Sequence, residues 1–268
     1  MITMDDKYRF EDFGFDCEPG NEDPITPEFE HKTLKIPKRA GLWNFGSEIK
    51  EKVFGYNLKI IERFYEDRQR RFNELVAFLF DDYGQPRDIK VVRDYENDKH
   101  YMAKLNQPLN PTWDVEEGSL SIVFIAEDPF KYALANQYDP TEDIYYGEIN
   151  EGDYYSNPQS FDWIYSKHYS GVNNYSSIVT DFMIEIEGTV TNPQITNLVN
   201  NKTLTLPSIN NGKLEVNGKQ FVVFKDGQDI LTGSNYNFFD IQPGEVGFLF
   251  EGEDPDAKVT YKWFHKFT

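Results

Sequence analysis

The residues that could carry chemistry are plentiful in this sequence, but they are not grouped as a reaction would need them. The four histidines, His31, His100, His168 and His265, are scattered, and none belongs to a His/Cys cluster with the spacing of zinc ligands. The sequence has no Gly-x-Ser-x-Gly nucleophile elbow, and no glycine-rich phosphate loop precedes its helix. We therefore predict no catalytic residues, no cofactor and no metal site.

Carboxylates dominate the charge, with 46 Asp and Glu against 27 Lys and Arg, a net charge of −19. Pairs such as Asp81/Asp82 and Glu116/Glu117 are expected by abundance alone, because acid–base catalysis is defined by geometry and pKa. Residues 251–256 carry four acids and could bind Ca²⁺, but they lack the EF-hand spacing, and a solvated turn is the simpler interpretation. Such a chain repels phosphate backbones, which excludes stable nucleic-acid binding but suits a wall past which DNA slides.

The single cysteine, Cys17, cannot form an internal disulfide and suits a reducing compartment. Its neighbours Asp16 and Glu18 should raise the pKa of its thiol, which argues against a nucleophile. The N-terminus is too acidic for a signal peptide, and no apolar run is long enough to cross a bilayer. We therefore expect no membrane insertion.

One helix is clearly predicted, inside a strand–helix–strand run from Lys52 to Arg93. The preceding strand alternates with the period of a half-buried strand, with Phe54, Tyr56, Leu58 and Ile60 on one side. The apolar residues that follow share one helical face: Phe72, Leu75, Val76, Leu79 and Tyr83. These patterns predict a helix over about residues 66–82, ended by Gly84 and Pro86, with Asp81 and Asp82 at a frayed C-terminus.

The rest of the chain predicts short strands and turns. Residues 134–176 are rich in Tyr, Asn and Asp and are expected to be loop and irregular strand. Beyond them, Asn211-Gly212, Asn217-Gly218 and Asp226-Gly227 are dipeptides typical of hairpin turns. We predict a mainly β protein with one main helix: an α+β domain at 1–133, then an all-β sandwich or jelly roll at 134–268.

Aromatic residues suggest a second kind of site in the C-terminal half. Trp163, with Tyr165 nearby, lies in a polar stretch and is the candidate platform on which a saccharide could stack. Trp263 alternates with core residues of the last strand, so we expect it to be buried.

Several motifs, in this order and spacing, resemble the distal tail protein family of long, non-contractile-tailed phages of Gram-positive bacteria. The first runs from Ile36 to Gly41, where the family commonly has Ile-Pro-Gly-Arg-x-Gly, so that Ile36, Pro37, Arg39 and Gly41 match and Lys38 replaces glycine. The strand–helix–strand run is the second. The third is Ile125 to Tyr132, which contains Asp128 and Pro129. The resemblance covers nearly the whole chain and is strongest over residues 30–133.

The resemblance implies a structural role in the virion tail tip, assembled in the bacterial cytoplasm. It implies a homo-hexameric ring of N-terminal domains, similar in fold to tail-tube proteins, with galectin-like C-terminal sandwiches projecting outward. Such a ring joins the tail-tube (major tail) protein to the tail-associated lysin or fibre protein. It also anchors receptor-binding or peripheral baseplate proteins, and DNA passes through its lumen.

Two other functions stay open from the sequence. A carbohydrate-binding module or adhesin that recognises host cell-wall saccharide would use the sandwich and the Trp163/Tyr165 platform. A hydrolase would use a pair of carboxylates.

Overall fold

The computed structural model describes residues 1–114, 116–133 and 159–268. The chain divides into two compact units, Met1–Lys131 and Tyr132–Phe267. Much of the segment 134–176, for which loop and irregular strand were predicted, lies outside the described residues. Its described part contains two strands, Gln159–Trp163 and Lys167–Asn174, and more of it is regular than the prediction allowed.

The first unit is a β-sheet with one α-helix and one 3-10 turn. Its elements are β1 (Ile2–Met4), a 3-10 turn (Phe10–Phe13), β2 (Asp16–Cys17), β3 (Phe29–Leu34), β4 (Trp43–Ile49), β5 (Lys52–Ile61), α1 (Tyr65–Leu79), β6 (Ile89–Arg93), β7 (Glu96–Leu105), β8 (Thr112–Trp113) and β9 (Glu117–Ala126). The short strand β10 (Lys131–Ala133) contains the boundary between the units. The main sheet has the order β1-β6-β7-β9-β5-β2, and β8 also pairs with β9. The β3–β4 pair is a separate two-stranded sheet.

Strand β5 and helix α1 confirm the predicted strand–helix–strand run. The alternating apolar residues of β5 are buried, and the helix buries Phe72, Leu75 and Leu79 against the sheet. The ring of Phe15 meets that of Phe72 edge-on, with centroids 4.9 Å apart. Burial of this one helical stripe, rather than helix propensity, holds a helix of 15 residues in place.

The helix ends earlier than predicted, at Leu79. Asp81 accepts hydrogen bonds from the backbone N–H groups of Tyr83 (2.9 Å) and Gln85 (2.8 Å), and so builds the turn that follows. The two aspartates therefore lie beyond the last helical turn, which removes their conflict with the helix dipole. In the part of the chain that the structure describes, no helix is long and apolar enough to cross a membrane.

The second unit is antiparallel β throughout its described residues, with one short 3-10 turn. Its elements are β11 (Gln159–Trp163), β12 (Lys167–Asn174), β13 (Phe182–Asn197), β14 (Lys202–Thr205), β15 (Ile209–Asn217), β16 (Val222–Lys225), β17 (Gln228–Asp229), a 3-10 turn (Leu231–Gly233), β18 (Gly244–Trp263) and β19 (Lys266–Phe267). One core cluster contains buried residues from β11 to β16 and from β18.

Two long strands, β13 and β18, pair with each other at the centre of this sheet. The first half of β18 pairs with β12, and its second half pairs with β11. The register with β13 shifts between these halves, where Gly188 has φ +137° and any Cβ would collide with the backbone oxygen of Asp256. The prediction of a turn at residues 251–256 is therefore wrong, because this segment is the bend inside one strand.

The hairpin predictions in this unit are partly confirmed. Asp226-Gly227 is a two-residue turn between β16 and β17, with φ positive at both positions. Asn211-Gly212 instead lies inside β15, where Asn211 (φ 46°) lies in a bulge opposite Thr189 and donates its backbone N–H to the Thr189 hydroxyl (2.9 Å). Trp263 is buried, as predicted.

Candidate functional site

The most unusual feature of the chain is a hairpin that has no core of its own. We call residues 29–49, formed by β3 and β4, the arm. Every residue of both strands is exposed, and a two-stranded hairpin by itself is marginally stable at best in water. Seven large apolar side chains of the arm are exposed: Phe29, Leu34, Ile36, Leu42, Trp43, Phe45 and Ile49.

The two faces of the arm differ near its base. Cross-strand partners share a face, so Phe29 and Ile49 form an apolar pair together with His31, whose ring centroid lies 5.3 Å from that of Phe29. The opposite face carries the ion pairs Lys32–Glu48 (2.5 Å) and Lys50–Glu30 (2.8 Å). The arm therefore has one apolar and one charged face at its base.

The turn that closes the arm holds the sequence motif. Arg39 donates its backbone N–H to the Ile36 oxygen (3.2 Å), with Pro37 second and Lys38 third in the turn. Lys38 has φ 67°, so the turn is of type II, which favours glycine at that position. The glycine that is frequent in the family this motif resembles thus corresponds to a left-handed position, which lysine occupies here.

We call residues 35–42 the tip. The Arg39 guanidinium lies 4.3 Å from the ring centroid of Trp43, a cation–π contact. Lys35, Lys38 and Arg39 form no ion pair with any residue that the structure describes, and residues 31–47 contain no acid. The tip is therefore a basic and apolar surface on a strongly acidic chain.

Buried cations hold the chain just before the arm, residues 18–28, which we call the root segment. Lys52 has no exposed surface and donates to the Ile25 oxygen (3.0 Å). Arg93, also buried, pairs with Asp23, which accepts a hydrogen bond from the Tyr95 hydroxyl (3.0 Å). Two cations thus fix the segment from which the arm departs.

The electrostatics of these anchors follow from their burial. Burial, and then the nearby Arg93, lower the pKa of Lys52 to about 8. Burial raises the pKa of Tyr101, a neighbour of Arg93, to about 12, so that Tyr101 stays neutral.

The pKa of the Cys17 thiol is raised, as predicted. The main cause is burial, followed by the charge of Glu11, and not the adjacent acids Asp16 and Glu18.

The predicted motif residues fall in two places. Ile36, Pro37, Arg39 and Gly41 all belong to the tip. Asp128 and Pro129 lie in the turn after β9, outside the arm, where Phe130 donates its backbone N–H to the Asp128 carboxylate (3.3 Å). The anchors Lys52, Arg93 and Asp23 were not predicted, because their partners are distant in sequence.

The predicted saccharide platform is wrong for Trp163. This side chain is fully buried in the sandwich core, with its ring centroid 5.3 Å from that of Phe250 and its indole N–H donating to the Tyr165 oxygen (2.9 Å). Phe161 and Trp163 are two residues apart on β11 and so share one face of the strand, which is the sequence pattern that could have predicted the burial of Trp163. Tyr165 is exposed, but a buried partner cannot form a platform with it.

The candidate calcium segment has no metal-binding geometry. Among the described residues, no three His, Cys, Asp or Glu side chains are grouped so that they could hold a metal ion. Glu251 instead pairs with Lys167 (2.6 Å) beside the strand bend.

Comparison with known proteins places this architecture. No protein-family model matches the sequence, and no curated protein does. The structure matches the crystal structure of the Dit protein (gp 19.1) of phage SPP1, described as a paradigm of the hub adsorption apparatus in phages that infect Gram-positive bacteria. The TM-score is 0.71 at 16% identity, over 100% of both chains. The chain has the Dit fold.

Two further matches come from the phage P2 baseplate in its activated conformation. The match to the structure with Ca has a TM-score of 0.42 at 9% identity, over 96% of this chain and 92% of that one. The match to the structure with Sr has a TM-score of 0.48 at 10% identity, over 98% and 97%.

Proposed function

We propose that this chain is the hub of a phage tail tip, in which six copies form a ring. One observation carries the proposal: the arm, residues 29–49, exposes its apolar side chains on a chain with the Dit fold. Monomeric proteins seldom expose a contiguous apolar surface unless it binds something. The arm is therefore an assembly element.

A ring is the assembly that such an arm favours. An arm that leaves one subunit and binds a different surface of the next makes a head-to-tail contact, which closes into a ring when the rotation between subunits allows it. The arm belongs to the first unit. We propose that the first units form the ring and that the sandwiches extend from it.

We propose that the ring has a structural role, in which it connects other tail proteins, and that it is not an enzyme. We propose that it connects the tail-tube protein to the tail-associated lysin or fibre protein and anchors receptor-binding or baseplate proteins, in virions assembled in the host cytoplasm. The net charge of −19 supports DNA transit, because an acidic lumen repels phosphate and lets DNA slide. A lumen found to be neutral or basic would contradict this last point.

The test is the mass of the purified protein, measured by light scattering and native mass spectrometry, with negative-stain images of the same sample. We expect six times the 31.4 kDa of one chain, or twice that for two stacked rings, with an open centre. The variant F45S/I49S, which removes exposed apolar groups from the arm, should be folded and monomeric. A wild-type protein that stays monomeric at micromolar concentration would contradict the ring.

A further inference from the structure

We propose that the tip of one copy binds the root segment of the next copy. Opposite charges on the two surfaces, and one apolar side chain inserted into a recess, then hold each arm in place. This inference rests on the proposed ring and names the two surfaces that close it. The occupant of the root segment is thus a second copy of this chain.

The tip supplies the positive partner. Lys35, Lys38 and Arg39 are exposed within five residues and have no ion-pair partner among the described residues of their own chain. Leu42, at 62% exposed, and Trp43, at 48%, lie directly beside them. Such a surface is complementary to an acidic partner that has an apolar recess.

The root segment supplies that partner. It contains Glu18, Glu22, Asp23 and Glu28 and no basic residue. Asp23 is used by Arg93, but Glu22 and Glu28 are exposed and form no ion pair with any described residue. Between them in the sequence, Ile25 is a large apolar side chain that is 87% exposed. Charge and apolarity therefore complement those of the tip.

A recess lies at this place. It has a volume of about 400 Å³ and is lined by Pro24, Thr26, Pro27, Glu28, Phe29 and Val53. Its lining is mainly apolar, with one carboxylate, so that it fits an apolar side chain next to a cation. We infer that Leu42 of the neighbouring tip, or Trp43 directly after it, occupies this recess, while Arg39 meets Glu28.

The geometry makes this contact intermolecular. Each arm strand of six or seven residues extends by about 20 Å, at roughly 3.3 Å per residue. The arm carries its tip away from its own root segment, which the buried Lys52 and Arg93 hold in place. An arm with opposite charges at its two ends promotes head-to-tail association, and the same contact repeated around an axis closes the ring.

Charge reversal tests the pairing. The tip variant K35E/K38E keeps the Arg39–Trp43 contact, and the root variant E22K/E28K changes the same number of charges in the opposite sense. Each variant alone should lose the ring, with association weakened by about a hundredfold or more. Mixed in equal amounts, the two variants should restore rings in which the copies alternate, because every contact then joins opposite charges. Native mass spectrometry reads each state.

The control K202E/K219E makes the same charge change as the tip variant, on exposed lysines of the second unit, and should leave the ring intact. Rings formed by both single variants would overturn the pairing and leave the proposed ring standing. Loss of the ring in both variants without recovery on mixing would also overturn it, since both surfaces would then be needed without binding each other. A wild-type protein without rings would contradict the proposed function itself.

Discussion

Two hairpins of the first unit show how differently one chain can use the same local structure. The hairpin β6–β7 is flanked by β1 and β9 and buries Ile89, Val91 and Tyr101 in the core. The arm, β3–β4, has no flanking strand and buries none of its residues. The first hairpin is stabilised inside its own subunit, whereas the second leaves its apolar groups for another surface.

The comparison teaches that apolar content alone does not place a strand in a core. Phe45 and Ile49 are as apolar as Val91 and Ile89, but only the latter have sheet neighbours on both sides. Exposed apolar groups raise the free energy of the monomer, and binding to another surface recovers it. Substitutions in the two hairpins should therefore separate folding from assembly.

The largest effect is expected from one pair of matched substitutions, Ile89→Ala and Ile49→Ala. Ile89 is fully buried, so its truncation should lower the unfolding free energy of the first unit by about 2–5 kcal/mol. Ile49 is 54% exposed, so the same change should alter that free energy by less than about 0.5 kcal/mol and weaken the ring instead. Urea unfolding, read by hydrogen exchange of the β5 and β9 amides, measures the first quantity. An Ile49→Ala variant as unstable as Ile89→Ala would show that the arm packs on its own unit.

A second contrast concerns ion pairs. Asp23→Asn should leave the Arg93 charge buried and unpaired, at a cost of about 3 kcal/mol. Glu48→Gln in the arm removes the partner of an exposed Lys32 and should cost less than about 1 kcal/mol. The same unfolding experiment measures both. Equal costs for the two variants would contradict the anchoring of the root segment by a buried charge.

Much of this fold follows from sequence patterns that depend on burial. The period-2 alternation of β5 and the helical stripe of α1 predict both elements, because each buries one face against a neighbour. Errors arose where local signals compete with tertiary pairing. The dipeptide Asn211-Gly212 predicts a turn but lies in a bulge of β15. Residues 251–256 predict a turn but lie inside β18, because pairing with β13 keeps this segment extended.

The sequence motif marks where the tip lies in the chain, but no sequence pattern predicts that the arm is exposed. The motif from Ile36 to Gly41 marks the tip, and the positive φ of Lys38 explains why glycine is frequent there in the family it resembles. The exposure of both arm faces has no sequence signature, because Phe45 and Ile49 would equally suit a core strand. The anchors Lys52 and Arg93 depend on contacts with chain far away in sequence, which no local pattern reports.

The pH dependence of the first unit should show the cost of one buried anchor. The pKa of Lys52 is about 8 in the folded protein, below the ordinary 10.5 that applies to the unfolded chain. Between these values the unfolded state binds the extra proton, so stability should rise with pH across that window, by about 2 kcal/mol. The groups that set this pKa besides burial are Arg93 and Lys131, which lower it, and Asp23 and Glu96, which raise it.

The measurement is urea unfolding at several pH values between about 7 and 10. The wild-type protein should gain stability relative to Lys52→Met, which keeps the length of the side chain and has no proton to lose. Parallel curves for the two proteins would show that Lys52 keeps its ordinary pKa.

The smallest effect should come from the tip turn, where two positions test one conformation in opposite directions. Lys38 has φ 67°, a left-handed backbone conformation that is unfavourable for a residue with a side chain. Lys38→Gly should therefore stabilise the turn by up to about 1 kcal/mol, partly offset by the greater conformational freedom of glycine when the turn opens. Gly41 has φ 81°, and no atom lies within 4 Å of the place where its Cβ would be. Gly41→Ala should therefore weaken the turn through backbone conformation alone. Exchange of the Arg39 amide, which bonds to the Ile36 oxygen, should slow in the first variant and quicken in the second. If the Arg39 amide exchanged at the same rate in both variants, the turn would form only when the tip is bound. The motif would then contribute to the stability of the assembly and not to that of the folded monomer.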